Sequence, residues 1–177
     1  MQVLVGLLAF FAAILVGTFV EYWGHRLMHN WRWGHHARHH QHNQGQGWLG
    51  EFRDYALPSS TIAWVGFLHS TAAGMGFALG ALAYAALAAY AHQLQHERPG
   101  QVFWMAQPTH AVHHYHSEWH HNFGITVDLW DRVFGTYRWH EPEEALLRHG
   151  GTRAFWQIHW ATPAPSLPRR KRRAEPA

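Results

Sequence analysis

The pattern of apolar and polar positions divides the chain into two apolar blocks and a polar remainder. Residues 1–20, MQVLVGLLAFFAAILVGTFV, contain no charged side chain. Twenty residues of helix span about 30 Å, the thickness of a bilayer core, so this block predicts a membrane span. A cleaved signal peptide is disfavoured, because no Lys or Arg precedes the run and no small-x-small site closes it. The second block extends from Thr61 to Ala91 and carries no charged residue apart from the titratable His69. As one helix it would reach about 46 Å, too long for an unkinked crossing. As two helices parting near Gly74-Met75-Gly76, each half is about 15 residues and short for a crossing. Histidines flank the block on both sides. If they share one site, the chain must enter and come back, which predicts a hairpin over residues 59–91.

After Ala91 no apolar stretch reaches 18 residues. From Pro163 onward, PAPSLPRRKRRAEPA reads as a disordered basic tail, residues 163–177. The expectation is therefore a single membrane-embedded domain, residues 1–162, of the all-α class: an integral membrane helical bundle with a cytoplasm-facing histidine-rich helical cap.

Composition sharpens that picture. Charged residues make up 14% of the chain, against about 25% in an ordinary soluble protein. The mean hydropathy of −0.31 conceals the apolar blocks, because histidine scores as strongly polar and 19 of the 177 residues are histidine. Cysteine is absent, which excludes disulfides, thiolate zinc sites and cysteine-held iron–sulfur clusters. The net charge is +3, yet Arg169, Arg170, Lys171, Arg172 and Arg173 alone supply five positive charges. The remainder is net negative, so no nucleic-acid partner is expected.

The histidines fall into four boxes. They are His25-x3-His29, His36-x2-His39-His40, His92-x3-His96 and His110-x2-His113-His114. On a helix, positions three and four apart share one face, so each box presents two or three imidazoles together. Up to ten rings exceed the four ligands of one zinc ion and suit two metal ions. Imidazole serves zinc, copper, iron and nickel alike, so the ligands by themselves do not choose the metal. Among the other histidines, His35, His42, His116, His120 and His121 are expected beside the site or facing water. His69 is expected to bond a neighbouring helix, and His140, His149 and His159 to lie at the surface. Glu21, Glu51, Asp54, Glu118 and Asp131 are candidates to orient the rings, and Asp131 fits a turn better than a metal.

The four boxes, followed by Asn122-Phe123-Gly124 and by Trp130-Asp131-Arg132-Val133-Phe134-Gly135-Thr136, resemble the fatty acid hydroxylase / sterol desaturase superfamily over residues 20–140. The resemblance implies a membrane oxygenase with a non-haem di-iron centre. It would use O₂ and two electrons to hydroxylate or desaturate a C–H bond of a lipid. Carried over residue by residue, it implies His25, His29, His36, His39, His40, His92, His96, His110, His113 and His114 as iron ligands. The box of His92 and His96 is the one that varies more within the superfamily. No His-Pro-Gly-Gly segment is present, so the electrons would come from an external donor, a ferredoxin or a b-type cytochrome system. The stretch His25–His40 also resembles small bacterial carotenoid hydroxylases, whereas a histidine-rich membrane metal carrier would space its ligands loosely. Arg26, Arg32, Arg38 and Arg53 lie beside the boxes, which places the boxes on the cytoplasmic side of a bacterial inner membrane. Trp23, Trp31, Trp33, Trp104 and Trp119 are expected at the membrane interface.

Overall fold

The computed structural model describes residues 1–30 and 34–170. Trp31, Arg32, Trp33, Lys171, Arg172 and Arg173 lie outside the described residues. Among the described residues, the helical segments are α1 (Gln2–Met28), α2 (His35–His42), α3 (Trp48–Ile62), α4 (Thr71–Glu97), α5 (Thr109–Tyr115), α6 (Leu129–Val133) and α7 (Glu144–Leu147). Short 3-10 turns cover Val65–Leu68 and Pro99–Gln101. No strand occurs among the described residues. Two helices, α1 and α4, are long and apolar enough to cross a membrane.

The first apolar block does not stop at Val20. Nothing between Glu21 and Met28 breaks a helix, so α1 runs on and carries His25 in its last turn. The second block does not hold both arms of a hairpin, as expected over residues 59–91: it supplies a turn and most of the returning helix, and the outgoing arm lies before it. The arms are α3 and α4, and the chain reverses at Ala63–Ser70. Ser70 caps the returning helix, its hydroxyl accepting the Ala73 N–H at 3.2 Å. Gly74 and Gly76 sit inside α4 instead of breaking it. Their role is contact. A side chain on Gly76 would collide with the backbone of Gly6, and one on Gly80 with the backbone of Phe10. This Gly-x3-Gly spacing lets two helix backbones approach closely.

The same neighbours show that α1 and α4 run parallel: Gly6 lies beside Gly76, Phe10 beside Gly80, and Gly17 beside Tyr84. Helix α3 runs the other way. At its start the Trp48 indole donates to Ala86 O at 3.3 Å, and after its end Gly66 meets Ala73. The molecule therefore has a shaft, where α1, α3 and α4 are apolar, and a head, where the C-terminal ends of α1 and α4 meet α2 and α5.

The C-terminal third wraps the head. The carbonyls of His159 and Trp160 accept the first N–H groups of α3 at 2.9 and 2.8 Å, satisfying donors a helix start leaves open. The beginning of the tail is packed, not loose. Leu167 and Ala164 are buried, and their N–H groups reach Asn43 O at 2.7 Å and Gly45 O at 3.1 Å. Its prolines and arginines read as disorder, but two apolar residues and the free backbone of the 43–45 turn hold it down.

Candidate metal centre

Each histidine box is held by something the chain supplies nearby. The α1 box lies on the helix that leaves the shaft. The α2 box occupies an eight-residue helix that starts after Gly34 and ends at Asn43 in the left-handed conformation, φ 57°. The α4 box occupies that helix's last turns, where every residue from His92 to Glu97 is buried. The α5 box sits on a seven-residue helix too short to stand alone. Gln95 fixes it: its Oε1 accepts the N–H groups of His110 at 2.8 Å and Ala111 at 3.2 Å.

All ten box histidines converge. Ring nitrogens of His25, His29, His36 and His40 lie within 4.8 Å of one another, and so do those of His39, His96, His110 and His114. His113 joins the first group, its Nε2 3.1 Å from His29 Nε2. His92 joins the second, its Nε2 3.3 Å from His39 Nε2. The result is five rings and five. The groups abut, with His40 stacked on His114 at 4.1 Å between centroids.

The division follows the helix geometry. Every i, i+4 pair stays together: His25 with His29, His36 with His40, His92 with His96, His110 with His114. The middle histidine of each triple crosses over, His39 into the second group and His113 into the first. Each three-histidine box thus links both groups.

Several rings have their outer nitrogen fixed. His25 Nδ1 donates to Phe123 O at 2.6 Å, and His113 Nδ1 to His121 O at 2.8 Å. His114 Nδ1 donates to Asn43 Oδ1 at 2.7 Å, and His92 Nδ1 lies 2.6 Å from the Glu51 carboxylate. A ring that donates through Nδ1 in its neutral form presents a lone pair at Nε2. The lone pairs of His25 and His113 both face His29 Nε2, at 3.2 and 3.1 Å. One proton on His29 can answer only one of them. His114 Nε2 and His40 Nε2 are buried without a hydrogen-bond partner. Such a set of converging, unanswered lone pairs fits a cation at each group.

Electrostatics keeps these donors neutral. Burial pushes His39, His110 and His114 well below the usual histidine range, and the surrounding rings add to the effect. Burial lowers His113 to about 4, although its bond to His121 O opposes the shift. Neutral imidazole is the form that binds metal.

The acidic candidates separate by what they touch. Glu51 touches a box ring, that of His92. Glu21 accepts the N–H groups of Ile125 and Thr126 at 2.9 Å, the Tyr84 hydroxyl at 2.7 Å and the Thr126 hydroxyl, so it ties α1 and α4 to the 125–126 loop. Asp131 accepts Phe123 N–H at 2.9 Å, Gly124 N–H at 2.6 Å and the Thr136 hydroxyl at 2.7 Å. It holds the turn whose Phe123 carbonyl orients His25. Gly124 is required there, because a side chain would strike Val127 O and Asp131. Glu118 bonds Asn122 and His140, and Asp54 bonds Gln46 and Arg53.

The His35 side chain lies outside the described residues, and the other remaining histidines stay outside the cluster. His42 and His120 are exposed, and His116 stacks on His140 at 3.9 Å. His69 is exposed in the α3–α4 reversal instead of bonding a neighbouring helix. His140 and His159 are half-buried and face Glu118 and Glu97; His149 is half-buried as well. The sequence reading missed Asn43 and Gln95, and assigned Trp119 to the membrane interface. Trp119 lies edge-on to His29 at 4.6 Å. A signal for Gln95 existed: a polar residue sandwiched between two box histidines has no reason to be buried unless it bonds.

A cavity of about 590 Å³ opens between α1 and α3 and ends on rings of both groups, His25, His36, His39, His92 and His110. Its walls include Val20, Leu27 and Met28 of α1, Pro58 and Ile62 of α3, and Tyr84 of α4. That size and mixed lining suit a small-molecule site.

A sequence model of the fatty acid hydroxylase family matches residues 10–136. No curated protein and no solved structure matches the chain.

Proposed function

Because this chain belongs to the fatty acid hydroxylase family, we propose that it is a membrane-embedded oxygenase that uses O₂ and two electrons to hydroxylate, or desaturate, a C–H bond of a lipid. Two iron ions are its proposed cofactors. His25, His29, His36, His40 and His113 would hold one, and His39, His92, His96, His110 and His114 the other. The observation that carries the reading is the cavity of about 590 Å³ between α1 and α3 that ends on rings of both groups. Bound iron would supply the redox chemistry that activates O₂ toward an unactivated C–H bond.

The chain's own residues account for the rest. Carbonyls of Phe123 and His121, with Asn43 and Glu51, keep the rings turned inward, so little reorganisation accompanies binding. Val20, Leu27, Met28, Pro58 and Ile62 give the substrate an apolar path and exclude water. A lipid would enter sideways between α1 and α3, from the bilayer that α1 and α4 cross. Residues 1–20 and 57–91 contain no Lys, Arg, Asp or Glu, while Arg26, Arg38 and Arg53 lie in the head. By the positive-inside rule the head faces the cytoplasm, in a bacterial inner membrane on this reading, where an external ferredoxin or b-type cytochrome can reach it.

A metal carrier is less well supported, since short helices pinned by Gln95 and Asn43 are unlike a mobile ligand loop. The test is iron-loaded protein in lipid vesicles with a reductant, followed by product analysis, alongside lipid profiles of cells with and without the gene. Two irons per chain, O₂ uptake and a hydroxylated or desaturated lipid are expected. Zinc preference without O₂ uptake would overturn the proposal.

A further inference from the structure

The two histidine groups are not chemically alike. In the first, His25 and His113 donate their outer N–H to neutral backbone carbonyls. In the second, His92 turns its Nδ1 toward a carboxylate, Glu51 Oε2, at 2.6 Å. Glu51 is 2% exposed and is itself held, its Oε1 accepting the Gln46 N–H at 2.8 Å. A carboxylate lying against the far side of a ring increases the basicity of the nitrogen that faces the metal. His92 Nε2 in turn sits 3.3 Å from His39 Nε2, inside the second group.

We propose that Glu51 is a positioning residue acting through His92, and that it makes the group of His39, His92, His96, His110 and His114 the tighter of two cation sites, filled first. The inference rests on the two-metal reading above and adds an order to it. A buried anion in contact with a ring stabilises a divalent ion in that group more than the neutral carbonyls met by His25 and His113 stabilise one in the other.

The test is titration of the metal-free full-length protein in detergent with Co²⁺, read by its visible bands and by calorimetry. ⁵⁷Fe Mössbauer spectra of the iron-loaded protein complete it. Wild type takes up two equivalents of unequal affinity. Glu51→Gln weakens the tighter equivalent about 10–100-fold, leaves the other in place, and alters one of two iron doublets. In a His92→Ala background, Glu51→Gln adds nothing further, because its effect passes through that ring. Asp54→Asn, which removes a neighbouring carboxylate bonded to Gln46 at 2.8 Å, leaves both equivalents unchanged. If Glu51→Gln does not fold, Glu51→Asp keeps the charge one carbon further back and weakens the same equivalent. Equal weakening of both equivalents, or of neither, overturns the proposal. Wild type that binds fewer than two equivalents overturns the two-metal reading instead.

Discussion

The shaft and the head turn opposite kinds of residue inward. In the shaft the large apolar side chains point out, Leu8 and Phe11 more than 60% exposed, while Ala13, Ala81, Ala85 and Ala88 form the contact between helices. In the head the interior is titratable, with His25, His96, His110, His113 and Asp131 at 1% exposure or less. A soluble protein buries its leucines and exposes its histidines. Here both halves break that rule, each in the sense its proposed surroundings require. Where lipid is the solvent, leucine gains nothing by burial, and small residues win the interface because they let backbones approach. Where a metal pair is the core, imidazoles replace apolar side chains as its filling.

The largest expected effect strikes the head. His113→Ala removes the ring that crosses into the first group and leaves His29 and His25 facing an incomplete set. Iron content is expected to fall by about one ion per chain and O₂ uptake to vanish. His149→Ala, outside the cluster, leaves both unchanged. Equal effects of the two would break the distinction between cluster and bystander histidines.

Next in size is a residue that binds no metal yet underlies the site. Asp131→Ala leaves three buried donors, at Phe123, Gly124 and Thr136, without their acceptor. Unsatisfied buried donors cost about 1–3 kcal/mol each, so a loss of about 3–5 kcal/mol is expected in thermal unfolding. Iron content falls with it, through the Phe123 carbonyl that orients His25. Asp131→Asn retains an acceptor and costs less.

These two positions also mark what was legible in the sequence. The boxes were readable because i, i+3 and i, i+4 spacing places rings on one helix face, and all ten rings do converge. The sharing of rings was not readable. Spacing within a box does not say how its rings divide between two ions, and His39 and His113 part from their boxes for the opposite group, a choice made by how α2 and α5 cross α1 and α4. The flanking histidines pointed to a chain that turns back, but the outgoing arm and the turn were both misplaced. Gly74-Met75-Gly76 resembles a breaker on a single chain and becomes a contact surface only when α1 lies against it. The tail misled for a similar reason, since Leu167 and Ala164 look isolated until the 43–45 turn offers its carbonyls.

The shaft's close approach yields a middle-sized effect. Gly80→Val would drive a branched side chain into the Phe10 backbone and Ala13. Overpacking costs about 1–3 kcal/mol. Because α1 and α4 both deliver rings to the head, separating them is expected to lower metal affinity as well as the melting temperature in detergent. Loss of stability with unchanged cobalt affinity would mean that the head holds its own geometry without the shaft.

The smallest expected effect is the most informative about surroundings. Leu8→Ala truncates a side chain that is 62% exposed on α1, a helix whose most apolar stretch is only 11% buried, against 50% for α4. Truncating a leucine packed in a soluble core costs about 2–5 kcal/mol. If lipid or detergent surrounds the shaft, Leu8 makes no such packing, and the acyl chains that replace it are as apolar as the methyl groups removed. A change within about 0.5 kcal/mol is therefore expected in the unfolding of the detergent-solubilised protein. Ala85→Leu at a fully buried position of α4 is expected to cost several times more. A loss above about 2 kcal/mol for Leu8→Ala would mean that another protein surface covers α1 there. The inversion between shaft and head would then reflect a partner rather than a bilayer.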